Sequence, residues 1–197
     1  MNLHPQLTEA ADAAARVVSG VSPDQFDGPT PCTDWDVRAL MNHLILWTSY
    51  SLERRAHGES VADELMNTDF AAAADFAVRY REQLDRALAA WADPAAWERK
   101  LDVMGTPMEA ADVAAMNLMD MVLHAWDLAV ATGQAYALPD ATARVVASAV
   151  EANAELFRQY QGFAEPIVVP PDASALDQAL AASGRDPRWA RDRGWAR

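Results

Sequence analysis

The stretch Met116-Asn117-Leu118-Met119-Asp120-Met121-Val122-Leu123-His124-Ala125-Trp126-Asp127-Leu128-Ala129-Val130-Ala131-Thr132-Gly133 decides how this chain folds. It reads as the end of a long helix that begins at about Met108 and is stopped by Thr132-Gly133. Asp120 and His124 stand four apart, so both project from one face, and Met116, Met121, Leu123 and Leu128 surround them. A carboxylate in such apolar company is costly unless it has a partner. The residues around this helix repeat its period. Leu7, Ala11, Ala14 and Val18 share a face in a first helix over Leu3 to Val18, which Ser19-Gly20 ends. Pro23, Gly28, Pro29 and Pro31 make a loop, and Thr33 or Asp34 is the expected N-cap of a second helix reaching about Ala56, with Val37, Leu40, Leu44, Trp47 and Leu52 along its stripe. Phe70, Phe76, Tyr80, Leu84 and Leu88 predict a third helix over roughly Asp69 to Trp91.

Trp97 to Val103 reads as a short extended piece before a turn at Gly105-Thr106-Pro107. Pro139-Asp140 opens a fifth helix reaching about Tyr160. Beyond it come an extended Pro166-Ile167-Val168-Val169-Pro170 segment, a short helix near Ala173 to Ala182, and a basic end. Helices of this length on modest loops predict an all-α bundle. The 197 residues, 51% of them hydrophobic, suffice for one packed domain. Sixteen basic against 29 acidic residues give a charge of −13, which repels phosphate backbones and argues against nucleic-acid partners. The densest apolar run, Leu44-Ile45-Leu46-Trp47, is far shorter than a membrane span, and the opening residues carry no secretory pattern. With Cys32 as the single cysteine, the expected setting is cytoplasmic and reducing, without a membrane partner.

His43 lies between Leu40 and Leu44 on the second helix. Two helices presenting a His and an Asp-x-x-x-His pair can assemble a three-ligand divalent-metal site with positions left open for water or substrate. The same residues also suit a core in which Asp120 merely pairs with His124. Asp127, three residues after His124, either accepts from a ligating imidazole or pairs with an arginine. Cys32 precedes the second helix, whose dipole favours a thiolate there; it is either a nucleophile or a small residue positioning the loop. Trp35, Trp47 and Trp126 read as core or pocket walls. Continuing the face of His43, Trp47 and Tyr50 reaches Arg54, a candidate to neutralise an anionic substrate or thiol cofactor. His4 and His57 receive no role. Arg185, Arg188, Arg191, Arg193 and Arg197, interleaved with Trp189 and Trp195, form either a tail packed back on the bundle or an anion or partner site.

Three separated segments together resemble one family. Thr30-Pro31-Cys32-Thr33-Asp34-Trp35-Asp36-Val37 leading to His43-Leu44, the run His124-Ala125-Trp126-Asp127-Leu128-Ala129-Val130-Ala131-Thr132-Gly133, and Pro166 to Pro170 with Gly184-Arg185-Asp186-Pro187 are similar to the signatures of actinobacterial DinB-like proteins. These are related to the metal-binding domain of mycothiol-dependent maleylpyruvate isomerase. The resemblance covers nearly the whole chain. It implies a DinB-like four-helix bundle over residues 1–160, a C-terminal extension over 161–197 packing on it, and a divalent metal held by His43, Asp120 and His124. The isomerase relatives carry Glu where this chain has Asp120, a shorter side chain that either coordinates directly or reaches the metal through water. The isomerase also has a further C-terminal domain, whereas this chain has room only for the short stretch beyond Tyr160.

The leading expectation is therefore an enzyme of the thiol-dependent transferase or isomerase group, its metal activating a small thiol such as mycothiol, or water, for attack on a small electrophile. Zinc is the first expectation for the metal, with nickel, iron and manganese also suited to two imidazoles and a carboxylate. A non-catalytic metal- or ligand-binding module carries the same signatures. A metal-free helical interaction protein is the third class, and a homodimer is among the assemblies compatible with any of them.

Overall fold

The computed structural model describes residues 2–103 and 105–189, and its core is a bundle built around the apolar helix expected from the sequence. Helix α1 is His4–Ser19, α2 Val37–Ile45, α3 Ser51–Ala56, α4 Asp63–Met66, α5 Phe76–Trp91, α6 Ala110–Ala131, α7 Asp140–Gln159 and α8 Ala175–Ala182. Strands β1 (Lys100–Val103) and β2 (Thr106–Glu109) pair antiparallel, Lys100 opposite Glu109 and Val103 opposite Thr106. The expected extended piece is thus one arm of a hairpin. What reads as a turn and the start of a helix supplies the other, and α6 begins two residues later than expected, at Ala110.

Helix α6 is the axis. It packs on α1, α2, α3 and α7, while α1 and α3 also close on α5. The predicted stripes are largely the buried ones: Leu7, Ala11, Ala14 and Val18 of α1, Val37, Leu40 and Leu44 of α2, Leu52 of α3, and Phe76, Tyr80, Leu84 and Leu88 of α5, whereas Trp47 and Phe70 are only partly buried. By length and hydropathy α6 passes the test for a membrane span, which the search for short apolar runs overlooks; yet 78% of that window is buried, as in a core helix. The third helix expected over roughly Asp69 to Trp91 is interrupted: Phe70–Ala72 forms a separate 3-10 turn and α5 begins only at Phe76.

Two departures shape the site. The N-cap of α2 is Asp36, neither Thr33 nor Asp34: its carboxylate accepts from Ala39 N at 2.8 Å. The loop before it is pinned by Thr30, whose hydroxyl reaches the carbonyls of Cys32 and Trp35 at 2.9 and 2.8 Å. Between α2 and α3 the chain does not break but widens into a π turn over Leu46–Tyr50. The hydroxyls of Thr48 and Ser49 bond back to the carbonyls of Leu44 and Ile45, each at 2.6 Å, in place of ordinary backbone donors.

Beyond α7 the chain turns back at Gly162, and α8 packs against α7. Ser174 caps α8, and its end is closed by Gly184, at φ +83°, with Arg185 N bonding to Leu180 O. Arg191, Arg193, Trp195 and Arg197 lie outside the described residues.

Candidate metal centre

The face of α6 that carries Asp120 and His124 meets the end of α2 that carries His43. Asp120 Oδ1 lies 3.4 Å from His43 Nε2 and 3.4 Å from His124 Nε2. One ligand atom from each of the three residues lies within 4.8 Å of the others. Contacts of 3.4 Å are long for a direct hydrogen bond. They match the spacing of about 3.4 Å between ligands of a tetrahedral ion with bonds of about 2.1 Å. The second carboxylate oxygen, Asp120 Oδ2, is buried and has no hydrogen-bond partner. A carboxylate with one oxygen facing two imidazole nitrogens and the other unsatisfied is what a divalent cation would complete, and this donor set fits one.

The electrostatics agree with that convergence. Burial alone would raise the Asp120 carboxyl, but the charge of His124 and hydrogen bonds from His124 and His43 hold it far below the usual carboxylate range. Burial would likewise lower His124, and it is the Asp120 charge, with contacts to Asp120, Asp127 and Cys32, that pushes it well above its ordinary value. Asp120 thus stays ionised and concentrates negative charge between the two imidazoles.

The other edge of His124 is held as firmly. Its Nδ1 lies 3.1 Å from Asp127 Oδ2, a carboxylate that accepts the Nδ1 proton, and Nε2 is the edge turned toward His43 and Asp120. Asp127 is fully buried, receives the Cys32 thiol at 3.2 Å, and is gripped by Arg185 from Nε at 2.9 and 3.0 Å and from Nη2 at 2.8 Å. Burial would raise the Asp127 carboxyl; Arg185 and His124 keep it below the usual range. Both alternatives read from the sequence hold at once, since Asp127 accepts from the imidazole and pairs with an arginine. Trp35 closes the site from the loop, its ring 4.5 Å from His43 and 5.6 Å from His124.

The cluster opens into a cleft of about 350 Å³. Its walls are the Pro31–Trp35 loop, Met119 and Leu123 of α6, Phe157 and Phe163 around the end of α7, and Ser183–Arg185. Those last two walls are invisible to motif reading. Arg185 stands in the sequence as one of several tail arginines and within the Gly184-Arg185-Asp186-Pro187 segment of the resemblance, in neither case with a role at this site; the available signal is the need of a charge on an apolar helix, Asp127, for a buried cation.

Arg54 is a correction. It bonds to the Ser60 carbonyl and pairs with Glu59 at 3.1 Å, and it does not line the cleft. The π turn inserts one residue into the register, so the face that an unbroken α-helix carries from His43 to Arg54 passes to Arg55 instead. Arg55 reaches α6, donating to Asn117 Oδ1 at 2.7 Å, and Asn117 donates in turn to Trp47 O at 3.0 Å. His4 bonds to Leu88 O at 3.0 Å, away from the cleft.

Residues 7–129 match the family described as the mycothiol maleylpyruvate isomerase N-terminal domain. Two uncharacterized proteins of Mycobacterium tuberculosis, from strains CDC 1551 / Oshkosh and ATCC 25618 / H37Rv, are each 28% identical over 190 residues, covering 91% of this chain and 95% of theirs. Among solved structures, a histidine-to-alanine mutant of mycothiol-dependent maleylpyruvate isomerase superposes with a TM-score of 0.66 at 19% identity, over 94% of this chain and 90% of that one. The isomerase without that mutation gives 0.62 at 18% identity and the same coverage. Agreement at this identity is agreement of fold.

Proposed function

From the premise that this chain belongs to the mycothiol maleylpyruvate isomerase N-terminal domain family, we propose that it is a divalent-metal-dependent enzyme acting on a small electrophile with a low-molecular-weight thiol of the mycothiol type. His43, Asp120 and His124 hold the metal, with zinc the first choice for two imidazoles and a carboxylate. When bound, such a cation supplies Lewis acidity, lowering the pKa of a thiol or water at its open position. The chain's own residues do the rest. Asp127 keeps the His124 proton on Nδ1 and its lone pair on Nε2. Trp35 shields both imidazoles on one side. Phe157 and Phe163 give the cleft apolar walls that exclude water beside the reacting groups. A reducing, cytoplasmic setting suits both the thiol cosubstrate and Cys32, which is unpaired with another cysteine.

The observation that carries this reading is the convergence of His43 Nε2 and His124 Nε2 on Asp120 Oδ1, 3.4 Å from each, beside an open cleft, with Asp120 Oδ2 left without a hydrogen-bond partner. The test is metal content by mass spectrometry on untagged protein, followed by calorimetric titration with mycothiol. Near-stoichiometric metal, its loss in His43→Ala and His124→Ala, and thiol binding that depends on the metal are the expected results. Metal without thiol binding would leave a metal-binding module, and a folded protein that takes up no divalent cation would overturn the assignment.

A further inference from the structure

We infer that Arg185 is a positioning residue for the metal centre: from outside the bundle it fixes the Asp127 carboxylate, and through it the imidazole of His124. The inference rests on the metal-holding reading above. Its basis is a chain of contacts running from the C-terminal extension to a ligand atom. Arg185 is 8% exposed and Asp127 is fully buried. The guanidinium touches both carboxylate oxygens, and Oδ2, its shared acceptor, is also the atom that receives His124 Nδ1 at 3.1 Å. A planar fork on a carboxylate sets its plane as well as its place, which a single ammonium cannot do.

The fork is itself aimed. Arg185 Nη1 donates to Ser183 Oγ at 3.1 Å, and Ser183 donates to Leu180 O at 2.8 Å, tying the guanidinium to the end of α8. Gly184, between them, sits at φ +83°, where a Cβ would fall 2.6 Å from Ala164 Cβ. The backbone there admits glycine alone at this spacing, and the resulting turn sends Arg185 inward. Arg188, three residues on, has a side chain 62% exposed and pairs with Asp186. The two arginines thus separate a buried, directed contact from a surface one within a single turn of chain. Without the fork, Asp127 retains His124 and the thiol of Cys32 but nothing that fixes its plane, and the imidazole is free to turn with it. Outer partners of this kind are worth about 10–100-fold in metal affinity.

The test measures zinc affinity by chelator competition on the full chain for the parent, Arg185→Ala, Arg185→Lys and Arg188→Ala. Arg185→Lys keeps the charge and removes the fork, so it reports even where Arg185→Ala fails to fold. Expected are a loss of about tenfold or more for Arg185→Lys, up to about a hundredfold for Arg185→Ala, and no change for Arg188→Ala. In nitrogen-15 spectra of the zinc-loaded protein, the Nδ1–H of His124, held on Asp127 in the parent, should exchange faster with water in Arg185→Lys. A merely structural Arg185 would lower the thermal midpoint of the metal-free variants and leave the zinc affinity and Nδ1–H exchange of folded Arg185→Lys at parental values, which overturns the inference alone. A parent that binds no zinc, indistinguishable from His43→Ala, overturns the metal-holding reading and this inference with it.

Discussion

Asp120 and Asp127 are the same residue type on the same helix, seven positions apart, and each faces one edge of the His124 ring. Their surroundings differ entirely. Asp127 is sealed from solvent with both oxygens engaged by Arg185, one of them also by His124 and Cys32. Asp120 borders the cleft with one oxygen between two imidazoles at 3.4 Å and the other unpartnered. Protein groups complete the first carboxylate. The second keeps one oxygen that no protein hydrogen bond engages. A buried charge whose partners are all in the chain is architecture; one that lacks a partner and borders a cleft is an invitation to a ligand.

Substitutions can break that contrast, and the largest effect belongs to the sealed carboxylate. Asp127→Ala strands the Arg185 charge in the interior and should cost about 3–5 kcal/mol of stability in denaturant titrations, with or without metal. A loss below about 1 kcal/mol would mean that Arg185 finds water or another acceptor and that the two carboxylates are alike. Asp120→Asn should do the reverse. The metal-free protein should stay within about 1 kcal/mol of the parent. Zinc affinity should fall at least about a hundredfold, equivalent to about 2.8 kcal/mol. Equal zinc affinity in this variant would remove Asp120 from the ligand set.

Smaller changes sharpen the comparison. Gly184→Ala forces a Cβ against Ala164 at a positive φ and should cost about 1–3 kcal/mol by thermal denaturation, while weakening zinc binding through Arg185. Asp36→Ala removes the cap of α2 and should cost about 1 kcal/mol, leaving zinc affinity unchanged because α6 and the extension are untouched. A change in affinity there would show that the fraying end of α2 carries His43 with it.

What could be read from the chain followed the range of the interactions. The stripes of α1, α2 and α5 and the pairing of Asp120 with His124 repeat every three or four residues, so local periodicity exposes them. Arg54 fails for a reason equally local but silent in composition: Leu46–Tyr50 contains no proline or glycine to announce a wider turn, and one inserted residue moves Arg55 onto the face expected of Arg54. The β-hairpin was half visible because Pro107 and Thr106 read as turn residues rather than as its second strand. Arg185 lies 58 residues from Asp127, and no spacing rule spans that distance. The resemblance of Gly184-Arg185-Asp186-Pro187 marked the residue without giving it a role, and the demand of a buried charge for a counterion did not name which arginine would answer.

Because translation runs from the N-terminus, that separation also orders events in time. A nascent chain that has delivered α1 through α7 already contains every candidate ligand, but Asp127 has no counterion and the core still lacks Phe163, Ala179 and Leu180. Full burial of that carboxylate must wait until α8 and Gly184 have emerged and turned Arg185 inward. The part of the chain made last thus delivers both the final apolar contacts of the core and the cation that its most deeply buried carboxylate requires.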